Sequence, residues 1–140
     1  MEARVKWVGD RMFLGETESG HTAVMDGPPE AGGRNMGIRP MEMILLGLGG
    51  CAAFDVVNIL LKSREAVEDC LVSLQAERAE SDPKVFTRIE LCFQVTGRAL
   101  NEAKVRRAVD LSADKYCSAS IMLGKTAEIS HRVEILDTDA

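Results

Sequence analysis

Hydrophobic and polar residues alternate along the first part of the chain, give way to a long apolar stretch, and then alternate again. The early alternation is broken by the turn signals Gly9-Asp10 and Ser19-Gly20, which predicts a short β meander. Its expected strands cover residues 4–8, a segment beginning at Met12, and residues 22–25. The Gly- and Pro-rich segment that follows, residues 26–37, is expected to be an irregular and mobile loop.

The long apolar stretch predicts one helix from residue 40 to residue 62 or 63. Pro40 suits the first helical position, and Glu42 in the first turn is favourable against the helix dipole. The stretch is apolar nearly all round, so we expect the helix to be covered on several sides, which favours a homodimer. Gly47, Gly49 and Gly50 each cost about 1 kcal/mol of helix stability. They predict a close backbone approach by another element just before Cys51.

After the helix, apolar and polar residues alternate again along the chain. Strands are expected over residues 69–78 and 85–96, joined by a hairpin loop at 80–83, and a last strand over 127–135. In the second of these strands, Val85, Thr87, Ile89, Leu91, Phe93 and Val95 share one face. Asn101 should cap a helix over 102–115, and a short helix should run from 117 or 118 to Gly124. The order β-β-β-α-β-β-α-α-β predicts one α+β domain over residues 1–140, with a mainly antiparallel sheet and a long central buried helix.

Composition and charge restrict the class of protein. Apolar residues make up 46% of the chain, charged residues 28%, and the net charge is −5, without a basic patch. Nucleic-acid binding is therefore not expected, because phosphate contacts need clustered cations. Asp55 and Asn58 interrupt the apolar helix, so a membrane span is not expected either. Residues 1–13 lack the pattern of a secretory signal, and we expect a cytoplasmic protein.

Four cysteines carry the possible chemistry. No two are closer than 19 residues and there is no CxxC or CxxH, so no metal site is predicted. Dispersed cysteines in a reducing compartment are usually small buried hydrophobes, and Cys70 and Cys92 are interpreted in that way. Cys51 follows the glycines inside the helix and is either a core thiol or a reactive one. Cys117 lies at a predicted helix start, where the dipole and free N–H groups lower a thiol pKa, or serves there only as a small capping residue.

The sequence gives weaker support for a catalytic role of the arginines and histidines. Arg11 follows the first turn, while Arg34 and Arg39 flank the loop before the long helix; each can hold a thiolate or simply be solvated. Neither His21 nor His131 has a serine or cysteine at a sequence spacing that would indicate a catalytic pair. No GxGxxG or Walker pattern is present, so no cofactor is expected.

Two cysteine segments resemble a known family. Residues 40–51, PMEMILLGLGGC, are similar to the first signature of the OsmC/Ohr family, and residues 116–120, YCSAS, are similar to the second. Cys117 follows Cys51 by 66 residues, and this separation and the order of elements also match, so the resemblance covers essentially the whole chain.

The resemblance implies an intertwined homodimer whose peroxidase members reduce organic hydroperoxides. By this resemblance Cys51 attacks the peroxide and becomes a sulfenic acid, Cys117 resolves it to a disulfide, and a dithiol donor reduces the disulfide. Arg11 matches the arginine that steadies the thiolate in such enzymes.

The chain departs from the family at one position. The peroxidases carry a glutamate directly after the proline, whereas here that residue is Met41 and the glutamate is Glu42, the remaining catalytic candidate. Glu42 lies nine residues before Cys51, and at about 100° per residue this is a rotation of about 900°, or about two and a half turns, which puts the two side chains on opposite sides of the helix. The chain therefore looks like a divergent OsmC-like branch. Two functions stay open: a peroxidase acting on small hydroperoxides, or a non-catalytic dimer that binds a small apolar ligand at its interface. A third, metal binding by thiolates, has little support from the sequence, because the metal-ligating residues are not clustered along it.

Overall fold

The computed structural model describes residues 1–139 and confirms the α+β class, with the elements in the expected order. The strands are β1 (Ala3–Trp7), β2 (Phe13–Thr17), β3 (Thr22–Met25), β4 (Ala66–Arg78), β5 (Phe86–Arg98) and β6 (Glu128–Asp137). The α-helices are α1 (Pro40–Lys62), α2 (Glu102–Leu111) and α3 (Ser118–Leu123). The chain forms two compact units, Met1–Leu46 and Gly47 onward, and the expectation of one domain over 1–140 stays a prediction.

The first unit contains the predicted meander. Strands β1, β2 and β3 form an antiparallel sheet in which Trp7 pairs with Phe13 and Phe13 pairs with Met25. Strand β1 is exposed along its whole length, including Val5 and Trp7. Some apolar side chains of these strands are therefore exposed on the surface of the first unit.

The glycine- and proline-rich loop of the first unit is organised around the buried Asp26. Its carboxylate accepts hydrogen bonds from the backbone N–H groups of Gly27 at 2.7 Å, Met36 at 3.1 Å and Arg34 at 3.2 Å. Burial opposes the charge, but these hydrogen bonds, helped by the nearby Arg39, hold the pKa of Asp26 below its ordinary value. The sequence predicts an irregular loop, and in the structure three of its backbone N–H groups bind one carboxylate, that of Asp26.

Helix α1 begins at Pro40, as expected, and ends at Lys62. Its buried side chains form one stripe with a spacing of four residues: Leu48, Ala52, Val56 and Leu60. Ile44, Leu46, Phe54 and Leu61 are exposed. The expectation that the helix is covered on several sides is therefore not met within this chain, because the chain covers only one stripe.

Helix α1 is also the single helix in the described part of the chain with the length and composition needed to cross a membrane. The core helix of a soluble protein passes the same test, so this property identifies an apolar helix and nothing more specific.

The glycines of α1 differ in their surroundings. A Cβ atom added at Gly49 would lie 2.8 Å from Leu74 Cδ1 of strand β4, whereas one added at Gly47 or Gly50 would meet no described atom within 4 Å. The predicted close backbone approach is thus corrected: one glycine admits a leucine side chain, and the other two face open space.

The second unit holds a sheet in the order β4-β5-β6. Strands β4 and β5 pair antiparallel as predicted, but β6 pairs with β5 in parallel. A register shift between Glu77 and Arg78 also changes which residues of β5 face inward. Phe86 is buried and Val85 exposed, so the predicted face is wrong at its start and right from Ile89 onward, where Ile89, Leu91, Phe93 and Val95 are buried.

Helix α2 starts where its cap predicts and ends earlier than expected. Asn101 Oδ1 accepts the backbone N–H of Lys104 at 3.1 Å. The helix stops at Leu111, and Ser112–Tyr116 form a π-helical turn rather than the last turn of a helix reaching residue 115. Cys117 follows this turn directly and lies at the start of α3.

Candidate thiol site

Cys51 lies in the middle of α1, directly before the buried Ala52 and two residues after Gly49. Its side chain is half-buried. The close approach of Leu74 to Gly49 and the burial of Ala52 show that this part of the helix packs against strand β4 within the second unit.

Cys117 is completely buried and forms the N-cap of α3, as the sequence predicts. Its Sγ accepts the backbone N–H of Ser120 at 3.4 Å, and its own N–H donates to the carbonyl of Ser112 at 2.8 Å. The π-helical turn and the first turn of α3 therefore fix the direction of this side chain.

The sulfur atoms of Cys51 and Cys117 lie close together within the second unit. Cys51 Sγ, Cys117 Sγ and a carboxylate oxygen of Asp55 all lie within 4.8 Å of one another, and both cysteines are free thiols. A disulfide requires a sulfur–sulfur distance of about 2.0 Å, so the two sulfur atoms must approach each other before they can form a bond. The pairing of Cys51 with Cys117, implied by the resemblance, corresponds to a real juxtaposition.

Asp55 and Ser112 belong to the site although sequence reasoning did not select them. Asp55 is four residues after Cys51 and so shares its helix face. The Ser112 hydroxyl lies 3.3 Å from the carbonyl oxygen of Ala52 and 3.4 Å from Asp55 Oδ2, and these two acceptors share its single proton. A signal for Asp55 was present, because it is the one charged residue between Glu42 and Lys62. The residue type of Ser112 gave no comparable signal.

The electrostatics of Cys117 differ from the sequence expectation. Burial raises the pKa of the Cys117 thiol, and although the Ser120 N–H opposes this, the neighbouring Cys51 adds to the increase. The helix start therefore does not lower this pKa as predicted, because loss of solvent outweighs a single N–H donor. Cys117 stays protonated at neutral pH.

The remaining predicted site residues lie in the first unit and have local partners. Arg11 is exposed and donates from Nη1 to the carbonyl of Asp10 at 3.1 Å. Glu42 accepts the backbone N–H of Arg39 at 2.8 Å and so caps the start of α1. Arg34 pairs with Asp10, and Arg39 donates to the carbonyl of Gly37. The catalytic roles of Arg11 and Glu42 stay predictions.

A cavity of about 480 Å³ adjoins the thiol pair through Asp55. Its other lining residues include Asn58 and Lys62 of α1 together with Leu111 and Tyr116. Asp55 therefore borders both the cavity and the sulfur atoms, whereas neither cysteine lines the cavity itself.

Comparison with known proteins defines the family. The model of the OsmC-like protein family matches residues 32–132, and the chain belongs to that family. Protein YhfA of Escherichia coli (strain K12) is 52% identical over 139 residues, covering 97% of this chain and 98% of the relative.

Solved structures agree with this assignment. A hypothetical protein from Aquifex aeolicus is 30% identical, with a TM-score of 0.80 and 97% of each chain covered. An organic hydroperoxide resistance protein OsmC from Legionella pneumophila is 17% identical, with a TM-score of 0.69 and 95% of each chain covered, and at that identity it supports the fold alone.

Proposed function

We propose that this protein is a thiol-dependent peroxidase that reduces organic hydroperoxides. Cys51 attacks the distal peroxide oxygen, the O–O bond breaks, the thiol proton goes to the alkoxide, and the products are a Cys51 sulfenic acid and an alcohol. The Cys117 thiol then condenses with the sulfenic acid, releasing water and forming a disulfide, which a dithiol donor reduces.

The observation that carries the proposal is the placement of the two sulfur atoms within 4.8 Å of each other. The raised pKa of buried Cys117 favours its assignment as the resolving thiol, since a protonated thiol is a poor first nucleophile. The half-buried Cys51 is then the attacking residue.

Arg11 and Glu42 keep distinct proposed roles. Arg11 steadies the Cys51 thiolate, because a guanidinium favours the charged form of a nearby thiol. Glu42 supports the site by capping α1, the helix that carries Cys51.

A cytoplasmic homodimer completes the proposal. Phe54 and Leu61 of α1 are 72% and 58% exposed, and a second copy of the chain would cover them. Sedimentation analysis should show a dimer for the natural protein. Phe54→Asp should produce monomers, whereas Met122→Asp, at an equally exposed residue of α3, should not; an unaltered monomer in all three samples would contradict the dimer.

Peroxide consumption tests the proposed reaction. The protein with dithiothreitol should consume cumene hydroperoxide, and Cys51→Ser should abolish consumption while Cys70→Ser leaves it unchanged. Cys117→Ser should allow Cys51 oxidation but prevent disulfide formation. Absence of consumption by the natural protein, or full consumption by Cys51→Ser, would refute the peroxidase.

An apolar hollow supports the second candidate, a non-catalytic dimer that binds a small apolar ligand. The hollow measures about 420 Å³ and is lined by Gly50, Ala53, Phe54, Val57, Asn58 and Leu61 of α1. Under this alternative, apolar metabolites raise the melting temperature without any turnover of peroxide. An unchanged melting temperature across a broad screen would count against it.

A further inference from the structure

The Cys51–Asp55–Cys117 cluster offers three ligand atoms of the kinds that transition metals bind. Thiolates select Zn²⁺ and related ions over Mg²⁺ and Ca²⁺, and a carboxylate oxygen is an accepted third ligand of zinc. The wide sequence spacing of the cysteines predicted no such cluster, but the fold assembles it from α1 and the start of α3.

The distances fit a single small cation after slight closure. Zinc binds sulfur at about 2.3 Å and carboxylate oxygen at about 2.1 Å, so tetrahedral donors stand about 3.5–3.8 Å apart. The three donors lie within 4.8 Å of one another, so each pair needs to approach by at most about 1.3 Å. Cys51 and Asp55 are one turn apart on the same helix face, so both can turn toward a common ion.

Two of the three donors are already oriented by hydrogen bonds. The Ser112 hydroxyl donates toward Asp55 Oδ2 at 3.4 Å, and the Ser120 N–H donates to Cys117 Sγ at 3.4 Å. Such outer hydrogen bonds hold ligands in place in known metal sites. Asp55 also lines the cavity of about 480 Å³.

We propose that the reduced protein binds one Zn²⁺ ion, or a related divalent transition-metal ion, through Cys51 Sγ, Cys117 Sγ and the Asp55 carboxylate. Within residues 47–139, Asp55 forms no ion pair with a basic side chain. A bound cation compensates the charge of this carboxylate and holds both cysteines as thiolates.

Binding is a proton exchange and needs no oxidant. One M²⁺ ion replaces the protons of two thiols, so two protons leave for each ion bound. Formation of the Cys51–Cys117 disulfide consumes two of the three ligands, so the disulfide form cannot hold the ion. The site does not depend on peroxide turnover, and a protein inert to peroxides would still bind the metal.

Cobalt titration under anaerobic conditions tests this site. The full-length Cys70→Ser/Cys92→Ser protein, reduced and freed of reductant, is titrated first with Co²⁺ and then with Zn²⁺, and a pH indicator counts the released protons. Cys51→Ser and Asp55→Asn remove ligands, and Asp114→Asn, an exposed residue of the π-helical turn, is the matched control. Circular dichroism checks that each variant folds.

The expected result is one cobalt ion per chain, a near-ultraviolet thiolate-to-cobalt absorption band, release of two protons, and displacement by Zn²⁺. Asp55→Asn should weaken binding about tenfold or more, Cys51→Ser should remove the band, and Asp114→Asn should match the parent. The proposal is overturned by absence of the band at saturating Co²⁺, by a band unchanged in Cys51→Ser, or by equal affinity of Asp55→Asn and the parent. The proton count on the parent decides the question even if a variant fails to fold.

Discussion

The Ser112 hydroxyl lies 3.3 Å from the backbone carbonyl oxygen of Ala52, a residue 60 positions earlier in the chain. Both residues are buried, and each adjoins a cysteine segment: Ala52 follows Cys51, and the carbonyl of Ser112 accepts the N–H of Cys117. This hydrogen bond therefore joins the helix that carries one sulfur to the turn that carries the other.

Ser112→Ala should loosen that junction. Removal of a buried hydroxyl donor should lower the free energy of unfolding by about 1 kcal/mol, measured by urea denaturation. It should also slow formation of the Cys51–Cys117 disulfide, because the π-helical turn is then held less firmly against α1. Ser130→Ala, at an exposed position of β6, should change stability by less than about 0.5 kcal/mol. Equal stability and disulfide rate in Ser112→Ala and the natural protein would show that the hydrogen bond does not hold the site.

The two adjacent glycines of α1 should respond differently to alanine. Alanine gains about 1 kcal/mol of helix propensity over glycine at either position. At Gly49 the new methyl group would lie 2.8 Å from Leu74 Cδ1, whereas at Gly50 it meets no described atom within 4 Å. Overpacking costs about 1–3 kcal/mol, so Gly49→Ala should be the less stable variant of the two in urea denaturation. Equal stability of the two variants, or the reverse order, would show that Leu74 does not restrict the space at Gly49.

Asp26 should give the protein part of its acid sensitivity. Its pKa is lowered in the folded protein from an ordinary value of 3.8, because the three backbone N–H groups and Arg39 outweigh the opposing effect of burial. A group with a lowered folded pKa stabilises fully above its unfolded pKa, and that contribution is lost as the pH falls through the folded pKa. We therefore expect the stability difference between the natural protein and Asp26→Asn to be constant near neutral pH and to shrink below pH 3.8.

Urea denaturation from pH 6 down to about pH 2.5 measures this difference across the range of carboxyl titration. Asp114→Asn, at an exposed carboxyl, serves as the control and should follow the natural protein at every pH. A difference between Asp26→Asn and the natural protein that does not change with pH would show that the Asp26 carboxylate charge is not what holds the loop.

Local signals explain why much of the fold could be predicted from the sequence. Pro40 and Glu42 mark the start of α1, and Asn101 marks the start of α2, because helix termini are satisfied by nearby side chains. The class of the fold followed from the order of elements. Cys117 was also placed correctly at the start of α3.

Features that depend on distant contacts were not predictable. The parallel pairing of β6 with β5 and the register shift near Arg78 arise from tertiary packing rather than from the alternation of either strand. The raised pKa of Cys117 follows from burial that no local pattern reveals. In the sequence, Asp55 appears only as a charged residue inside an apolar helix. Its place in the thiol site follows from the fold, which brings Cys117 close to Cys51 and Asp55.

Peptide mapping of the oxidised protein tests the central claim, that Cys51 and Cys117 form one redox pair. The reduced protein is treated with one equivalent of cumene hydroperoxide, free thiols are alkylated, and proteolytic fragments are analysed by mass spectrometry. We expect an intrachain Cys51–Cys117 disulfide, with Cys70 and Cys92 alkylated and no such disulfide in Cys51→Ser. Recovery of Cys51 and Cys117 both as alkylated thiols, while the peroxide remains unconsumed, would contradict it.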